Sequence, residues 1–209
     1  MCQNIPFVED LRPLLVSQDK LPVVLASTSR YRRALLERLL TDFSCRSPNV
    51  DEIPQAGETP RALAARLARL KAESAAGGAE IVIGSDQVAA LGDRVLSKPG
   101  ALEPAIEQLT ACSGQSVNFY TAVCVISPDV DVPRTHVDLT TVVFRSLSAA
   151  EIRRYLECEQ PFDCAGSFKA EGLGVSLMQR IDNQDPTAIQ GLPLIWLADC
   201  LRALGITLP

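Results

Sequence analysis

The stretch from Ile81 to Pro99, IVIGSDQVAALGDRVLSKP, constrains this chain more than any other. Ile81-Val82-Ile83 is a short apolar, β-branched run that reads as a buried strand. A small-residue break follows at Gly84-Ser85, and one carboxylate, Asp86, lies just past it. Gln87, a second apolar run, a Gly92-Asp93 turn and Lys98-Pro99 complete the stretch. A carboxylate at the end of a buried strand has a fixed backbone and little water around it. Such a place suits a metal ion or a reacting water. The plainer alternative is an Asp that caps a turn.

Strands and helices alternate around this stretch. Leu21 to Ala26 reads as the first buried strand, followed by the hydroxyl-rich turn Ser27-Thr28-Ser29 and by Arg30-Tyr31-Arg32-Arg33. The hydroxyls suit an N-cap, and Ala34, Leu35, Leu36, Leu39 and Leu40 give a helical apolar stripe. Three arginines in that first turn oppose the helix dipole, and a bound anion would relieve the conflict. The alternative is a solvated basic face. Phe43 to Pro48 reads as a short strand, and Asp51-Glu52 as paired carboxylates in a loop before Pro54. Thr59-Pro60 opens a long helix to about Ala76. Its apolar stripe is Leu63, Ala64, Leu67, Leu70 and Ala75, and its polar side carries Arg61, Arg66, Arg69, Lys71 and Glu73.

A helix from about Glu103 to Cys112 precedes two β-rich runs, Val117 to Ile126 and Thr135 to Phe144. Ser127-Pro128-Asp129 joins them as an antiparallel hairpin. Ser148 with Glu151 matches a capping box opening a helix to about Cys158. The Gly-rich segment from Cys164 to Gly174 ends in a β-like Val175-Ser176-Leu177, and Ile181 to Gly191 reads as loop. Pro193 starts a last apolar helix. Early alternation with a late hairpin predicts an α/β fold with a mixed central sheet. Residues 21–209 read as one domain, after an extension over residues 1–20.

Composition narrows the chemistry. A net charge of −5 disfavours binding to nucleic acid polymers, which needs many clustered cations. No apolar run approaches the roughly 18 residues of a membrane span, and the first 20 residues lack a secretory pattern. The seven cysteines are irregularly spaced, with no CxxC, and read as reduced thiols of a cytoplasmic protein. The single histidine, His136, alternates with apolar residues and reads as structural or solvent-facing. One histidine excludes multi-histidine metal sites and disfavours a Ser-His-Asp triad. Hydrolytic chemistry must then rest on carboxylates, lysines and arginines. The Ser- and Arg-rich turn suits phosphates, and Lys71, Lys98 and Lys169 can add charge. Asp86, with Glu52, can hold Mg²⁺ or activate water. No P-loop of the G-x-x-x-x-G-K-[ST] type is present. The residues alone thus reach a metal-dependent, carboxylate-based handler of phosphates.

Leu25-Ala26-Ser27-Thr28-Ser29-Arg30-Tyr31-Arg32-Arg33 resembles the opening motif of the Maf family of nucleotide pyrophosphatases. Ile83-Gly84-Ser85-Asp86-Gln87-Val88 with Lys98-Pro99 resembles its central motif. Asp51-Glu52, Lys71 and the run from Ala165 to Gly172 match the remaining blocks in order. The resemblance implies an elongated, two-lobed fold like that of the inosine triphosphate pyrophosphatases, with the cleft between the lobes. It implies cleavage of a nucleoside triphosphate to monophosphate and pyrophosphate with a divalent cation, Mg²⁺ or Mn²⁺. It casts Asp86 as catalytic base, Ser27, Arg32, Lys71 and Lys98 as phosphate-binding, and Glu52 with Asp86 as metal ligands. A homodimer is also implied.

Three positions separate the branches of the family. The branch acting on dTTP and UTP has Arg, Thr and Gln where this chain has Tyr31, Gln87 and Glu171. The present set is similar to the branch that hydrolyses 7-methyl-GTP. The chemistry agrees: the methylated ring is cationic, Tyr31 can stack on it, Glu171 can accept from the guanine edge, and Gln87 can read another polar edge. The alternatives are a pyrophosphatase for dTTP, UTP or other nucleotides, and a non-catalytic nucleotide-binding regulator of cell division. The family usually has proline where Arg30 stands.

Overall fold

The computed structural model describes residues 21–208; the extension expected over residues 1–20 lies outside them. A seven-stranded mixed sheet has the order β2-β1-β3-β5-β6-β7, with β4 also paired to β3. The strands are β1 (Val23–Ala26), β2 (Ser44–Cys45), β3 (Ile81–Leu91), β4 (Arg94–Leu96), β5 (Ser116–Ser127), β6 (Val130–Phe144) and β7 (Met178–Asp182). The helices are α1 (Arg30–Leu36), α2 (Pro60–Ala75), α3 (Leu102–Cys112), α4 (Ala149–Glu159) and α5 (Leu194–Ala203). None of these helices is long and apolar enough to cross a membrane.

The expected α/β class and mixed sheet are what the structure has. Three long strands, β3, β5 and β6, run through two regions of core. At one end, α2 packs on one face through Leu63, Leu67, Ala68 and Ala72 against Val24, Val82 and Val88. The α1 and α5 helices cover the opposite face through Leu35, Leu36, Leu197 and Leu201 against Leu25, Ile83 and Val125. At the other end, α3 and α4 enclose Phe119, Phe144 and Phe168, whose rings meet edge to face. This gives two lobes on one sheet.

Local chemistry explains most element boundaries. Ser29 caps α1, Thr59 caps α2 with Pro60 in its first turn, and Ser148 with Glu151 forms the expected capping box on α4. His136 is structural, its ring stacked on Trp196 at 5.4 Å. Three expectations fail, each for a packing reason. The Gly84-Ser85 break does not exist, because β3 continues through it for 11 residues. Gly84 is needed there because α2 lies against it: a Cβ would stand 2.3 Å from the Ala68 carbonyl oxygen and 2.5 Å from Ala72 N. Val175-Ser176-Leu177 belongs to a 3₁₀ segment, and the strand begins at Met178. The hairpin's second strand starts at Val130 rather than Thr135, with Pro133 accommodated where the β5–β6 register shifts.

The pairing pattern makes an opening. β1 pairs with β3 along Ile81 to Gly84, and β4 pairs with the same edge along Ala89 to Leu91. Between them, Ser85 to Val88 have a ladder partner on the β5 side alone. The expected cleft between lobes is this gap.

Two stability outcomes follow. Gly84→Ala is expected to cost about 3 kcal/mol or more, the upper range for overpacking, read as a lowered denaturant midpoint; an unchanged midpoint would mean that α2 can retreat from β3 freely. Asp138 is only 6% exposed, and its Oδ1 has no hydrogen-bond partner among the described residues. Burial and the nearby Asp185 raise its pKa above the ordinary carboxylate value, with His136 opposing. A raised folded-state pKa contributes stability below the unfolded value, lost as pH rises through the folded one. Asp138→Asn is therefore expected to raise Tm at neutral pH, with the gain shrinking in acid. A Tm lowered equally at every pH would contradict this.

Candidate active site

The β1 strand ends at Ala26 beside the gap, and the chain turns there into α1. The Ser29 N–H donates to Ser27 Oγ at 3.1 Å, and Ser29 Oγ accepts from Arg32 N. The buried Ser27 hydroxyl thus keeps its proton for a ligand. The structure separates the three arginines of this turn. Arg32 turns inward and donates through Nε to the Gly191 carbonyl at 2.9 Å. Burial lowers its pKa, opposed by Asp86 and Glu52. Arg33 turns out to an exposed pair with Glu37. Arg30 lies 4.8 Å over the Tyr31 ring and donates to its hydroxyl at 2.8 Å.

Asp86 sits in the middle of β3 and faces α2. There its Oδ1 lies 2.6 Å from Lys71 Nζ, which also lies 2.6 Å from Glu52 Oε1. Lys71 is 6% exposed and Asp86 7%, whereas the Glu52 side chain is 60% exposed. Lys71 was expected on the polar side of α2, and this is a correction. It continues the buried stripe Leu63, Ala64, Leu67 and Ala68, so the helical period itself places residue 71 inward. Burial pushes the Asp86 carboxyl up from its ordinary value; Lys71 and Arg32 oppose that push without cancelling it. Partial burial also pushes Glu52 up, but Lys71, Lys98 and Arg32 outweigh it and hold Glu52 below the usual range. Asp51, its neighbour, instead accepts from the Ile53 N–H in a local turn.

A cleft of about 800 Å³ joins Ser27, Arg32, Glu52, Lys71, Asp86 and the exposed Lys98. Glu52 and Asp86 already share one cation, the Lys71 ammonium, so two oxygen donors converge on a position of positive charge. No cluster of three metal-ligating side chains exists among the described residues. Two carboxylates, with the remaining positions left to phosphate oxygens and water, is the way Mg²⁺ is held in nucleotide sites. The donor set fits such an ion.

Gln87 follows Asp86 and, by strand alternation, faces the other side of the sheet. Its Nε2 donates to Thr121 Oγ1 at 2.9 Å and to the Ala188 and Ile189 carbonyls at 3.0 Å. Those carbonyls only accept, which fixes the amide orientation and leaves Oε1 as the group offered to a ligand. A recess of about 140 Å³ on this face is lined by Tyr31, Gln87, Glu171, Phe119 and Lys169. The recess and the larger cleft share Tyr31, Arg32, Gln87 and Lys98, so they meet at the gap in the β3 edge. Lys169 is held by Glu159, 3.4 Å from its carboxylate.

Sequence reading missed Gly191. Its φ of +106° suits glycine, its carbonyl anchors both Arg32 and the buried Ser85 hydroxyl, and a Cβ would stand 3.4 Å from Arg32 Nε. It also missed Asp163, which lines both hollows. Strand alternation could have put Asp86 and Gln87 on opposite faces; nothing local to residues 188–191 announces what their carbonyls hold.

Fold and site together define an α/β protein whose mixed sheet carries a buried Asp86–Lys71 pair beside a Ser- and Arg-rich turn at the edge of an open cleft. The family profile described as "Maf-like protein" matches residues 22–204, and the chain belongs to that family. A protein of Xanthomonas oryzae pv. oryzae (strain MAFF 311018) named 7-methyl-GTP pyrophosphatase is 55% identical over 190 residues, covering 90% of this chain and 98% of that one. One of the same name from Pseudomonas putida (strain KT2440) is 49% identical over 191 residues, covering 90% and 100%. Among solved structures, the Staphylococcus aureus Ham1 protein aligns with a TM-score of 0.50 at 16% identity, over 87% of this chain and 98% of that one. That likeness supports the fold.

Proposed function

We propose that this chain hydrolyses the α–β phosphoanhydride of 7-methyl-GTP, releasing 7-methyl-GMP and pyrophosphate. The observation that carries the reading is the division of the site across the edge of β3. Tyr31, Gln87 and Glu171 line a recess on one face, and Asp86, Lys71 and Glu52 cluster on the other. A nucleotide passing through the gap places its base in the first and its phosphates by the second. The relatives' shared name agrees.

In the recess, Tyr31 offers a ring to the cationic methylated base, one face of it already covered by Arg30. Gln87 Oε1 and the Glu171 carboxylate accept from the N1 and N2 edge of guanine, and the Glu171 charge favours the methylated ring. Across the gap, the Ser27 hydroxyl, Arg32, Lys98 and Lys71 bind phosphate oxygens. A divalent cation, held by Glu52 and Asp86, would supply charge neutralisation for the triphosphate. Water adds to the α-phosphorus as the bond to the bridging oxygen breaks, and the water's proton passes to Asp86. Asp86 suits this role by position: it is buried in the middle of β3 at the edge of the cleft that holds the phosphate-facing side chains.

A nucleotide panel with Mg²⁺ or Mn²⁺, followed by pyrophosphate release, tests the reading. Cleavage of 7-methyl-GTP is expected to exceed that of GTP, dTTP and UTP. Asp86→Asn should lower kcat by about 10²- to 10⁴-fold, the range of a lost general base, while nucleotide binding persists. Glu171→Gln should reduce the preference for the methylated over the unmethylated base. Faster cleavage of dTTP or UTP would overturn the substrate assignment. Binding without turnover of any nucleotide would favour a regulatory protein.

A further inference from the structure

The Lys71 ammonium is a buried charge held by two carboxylates. It lies 2.6 Å from Asp86 Oδ1 and 2.6 Å from Glu52 Oε1, the two oxygen donors that fit a divalent cation. No other basic side chain contacts Asp86 or Glu52 among the ion pairs of the described residues. An ammonium so placed repels a metal ion approaching the same oxygens. We propose that Lys71 is a displaceable counter-ion: it holds Asp86 and Glu52 together without metal, and it leaves them for phosphate oxygens when metal binds. This inference rests on the metal assignment above but not on which base is recognised.

The placement suits an exchange. The backbone of Lys71 is fixed, because α2 packs closely on β3 at Gly84. Its side chain is a compact charge on a flexible four-carbon stem, which can swing without moving the helix. Lys71 lines the same cleft as Ser27, Arg32 and Lys98, so phosphate oxygens there offer the ammonium new anionic partners. Glu52 is the more exposed of its two partners and the easier to release. Burial forbids Lys71 from simply becoming unpaired: a buried cation needs a counter-charge in each state. Metal and nucleotide therefore assist each other, the metal taking the carboxylates and the triphosphate taking the lysine.

The first measurement uses metal alone, without nucleotide. Mn²⁺ is titrated into wild-type protein, Lys71→Met and the double variant Lys71→Met with Glu52→Gln, and bound metal is counted by electron paramagnetic resonance. If the seated lysine leaves the carboxylates free a tenth of the time or less, Lys71→Met should bind Mn²⁺ about tenfold more tightly. The double variant should lose that gain. Unchanged or weaker binding by folded Lys71→Met would overturn the proposal. Because Lys71→Met leaves Asp86 without its partner and can impair folding, a second measurement uses the wild-type protein. The ¹H–¹⁵N signal of the Lys71 ammonium is followed as Mg²⁺ is added together with inorganic pyrophosphate, which supplies the phosphate oxygens. The expected result is loss or a large shift of that signal at saturation; an unmoved signal with Mg²⁺ bound would overturn the proposal. Metal exchange without cleavage of 7-methyl-GTP would instead sustain this inference and remove the substrate reading.

Discussion

A lysine on the packed face of a helix is stable only with its counter-charges in place, and the site is built around that requirement. Removing either partner of a buried ion pair strands a charge, which typically costs about 3–5 kcal/mol. Without metal, Asp86 and Lys71 therefore neutralise one another where α2 packs on β3. Gly84 makes the pair possible. Without its bare Cα, α2 could not pack this closely on β3, because a Cβ would stand 2.3 Å from the Ala68 carbonyl oxygen. The cluster is a structural element of the lobe as much as a chemical one.

The second constraint is the interrupted edge of β3. A strand covered along its whole length would bury Asp86 and Gln87 on separate faces with no route between them. Here β1 ends at Ala26 and β4 begins pairing at Ala89, so the intervening edge is open. The turn from Ser27 to Ser29 and the first residues of α1 lie at that opening, where Tyr31 and Arg32 border both hollows. The two hollows are thereby joined through Asp86 and Gln87, adjacent residues whose side chains point to opposite faces.

Much of this was legible in the sequence. Apolar runs gave most strands, caps gave the helix starts, and Asp86, Glu52, Ser27, Arg32, Lys98, Tyr31, Gln87 and Glu171 do line the two connected hollows. Errors came where long-range packing overrides local signals. Gly84 looks like a chain break because a glycine that admits a helix has the same sequence signature as one that makes a turn. Lys71 reads by residue type as part of the polar side of its helix, although its position in the helical period points inward. The roles of Gly191 and of the Ala188 and Ile189 carbonyls were not readable, because backbone groups acting on residues 101 to 159 positions away leave no pattern in composition or spacing.

The most direct measurement is a crystal structure of the Asp86→Asn protein with intact 7-methyl-GTP and Mg²⁺. The expected result is the methylated ring against Tyr31, its edge within hydrogen-bond reach of Gln87 and Glu171, and the triphosphate across the open edge of β3 at Ser27, Arg32 and Lys98. A nucleotide lying wholly on one face of the sheet, with the recess vacant, would contradict the division of labour across β3.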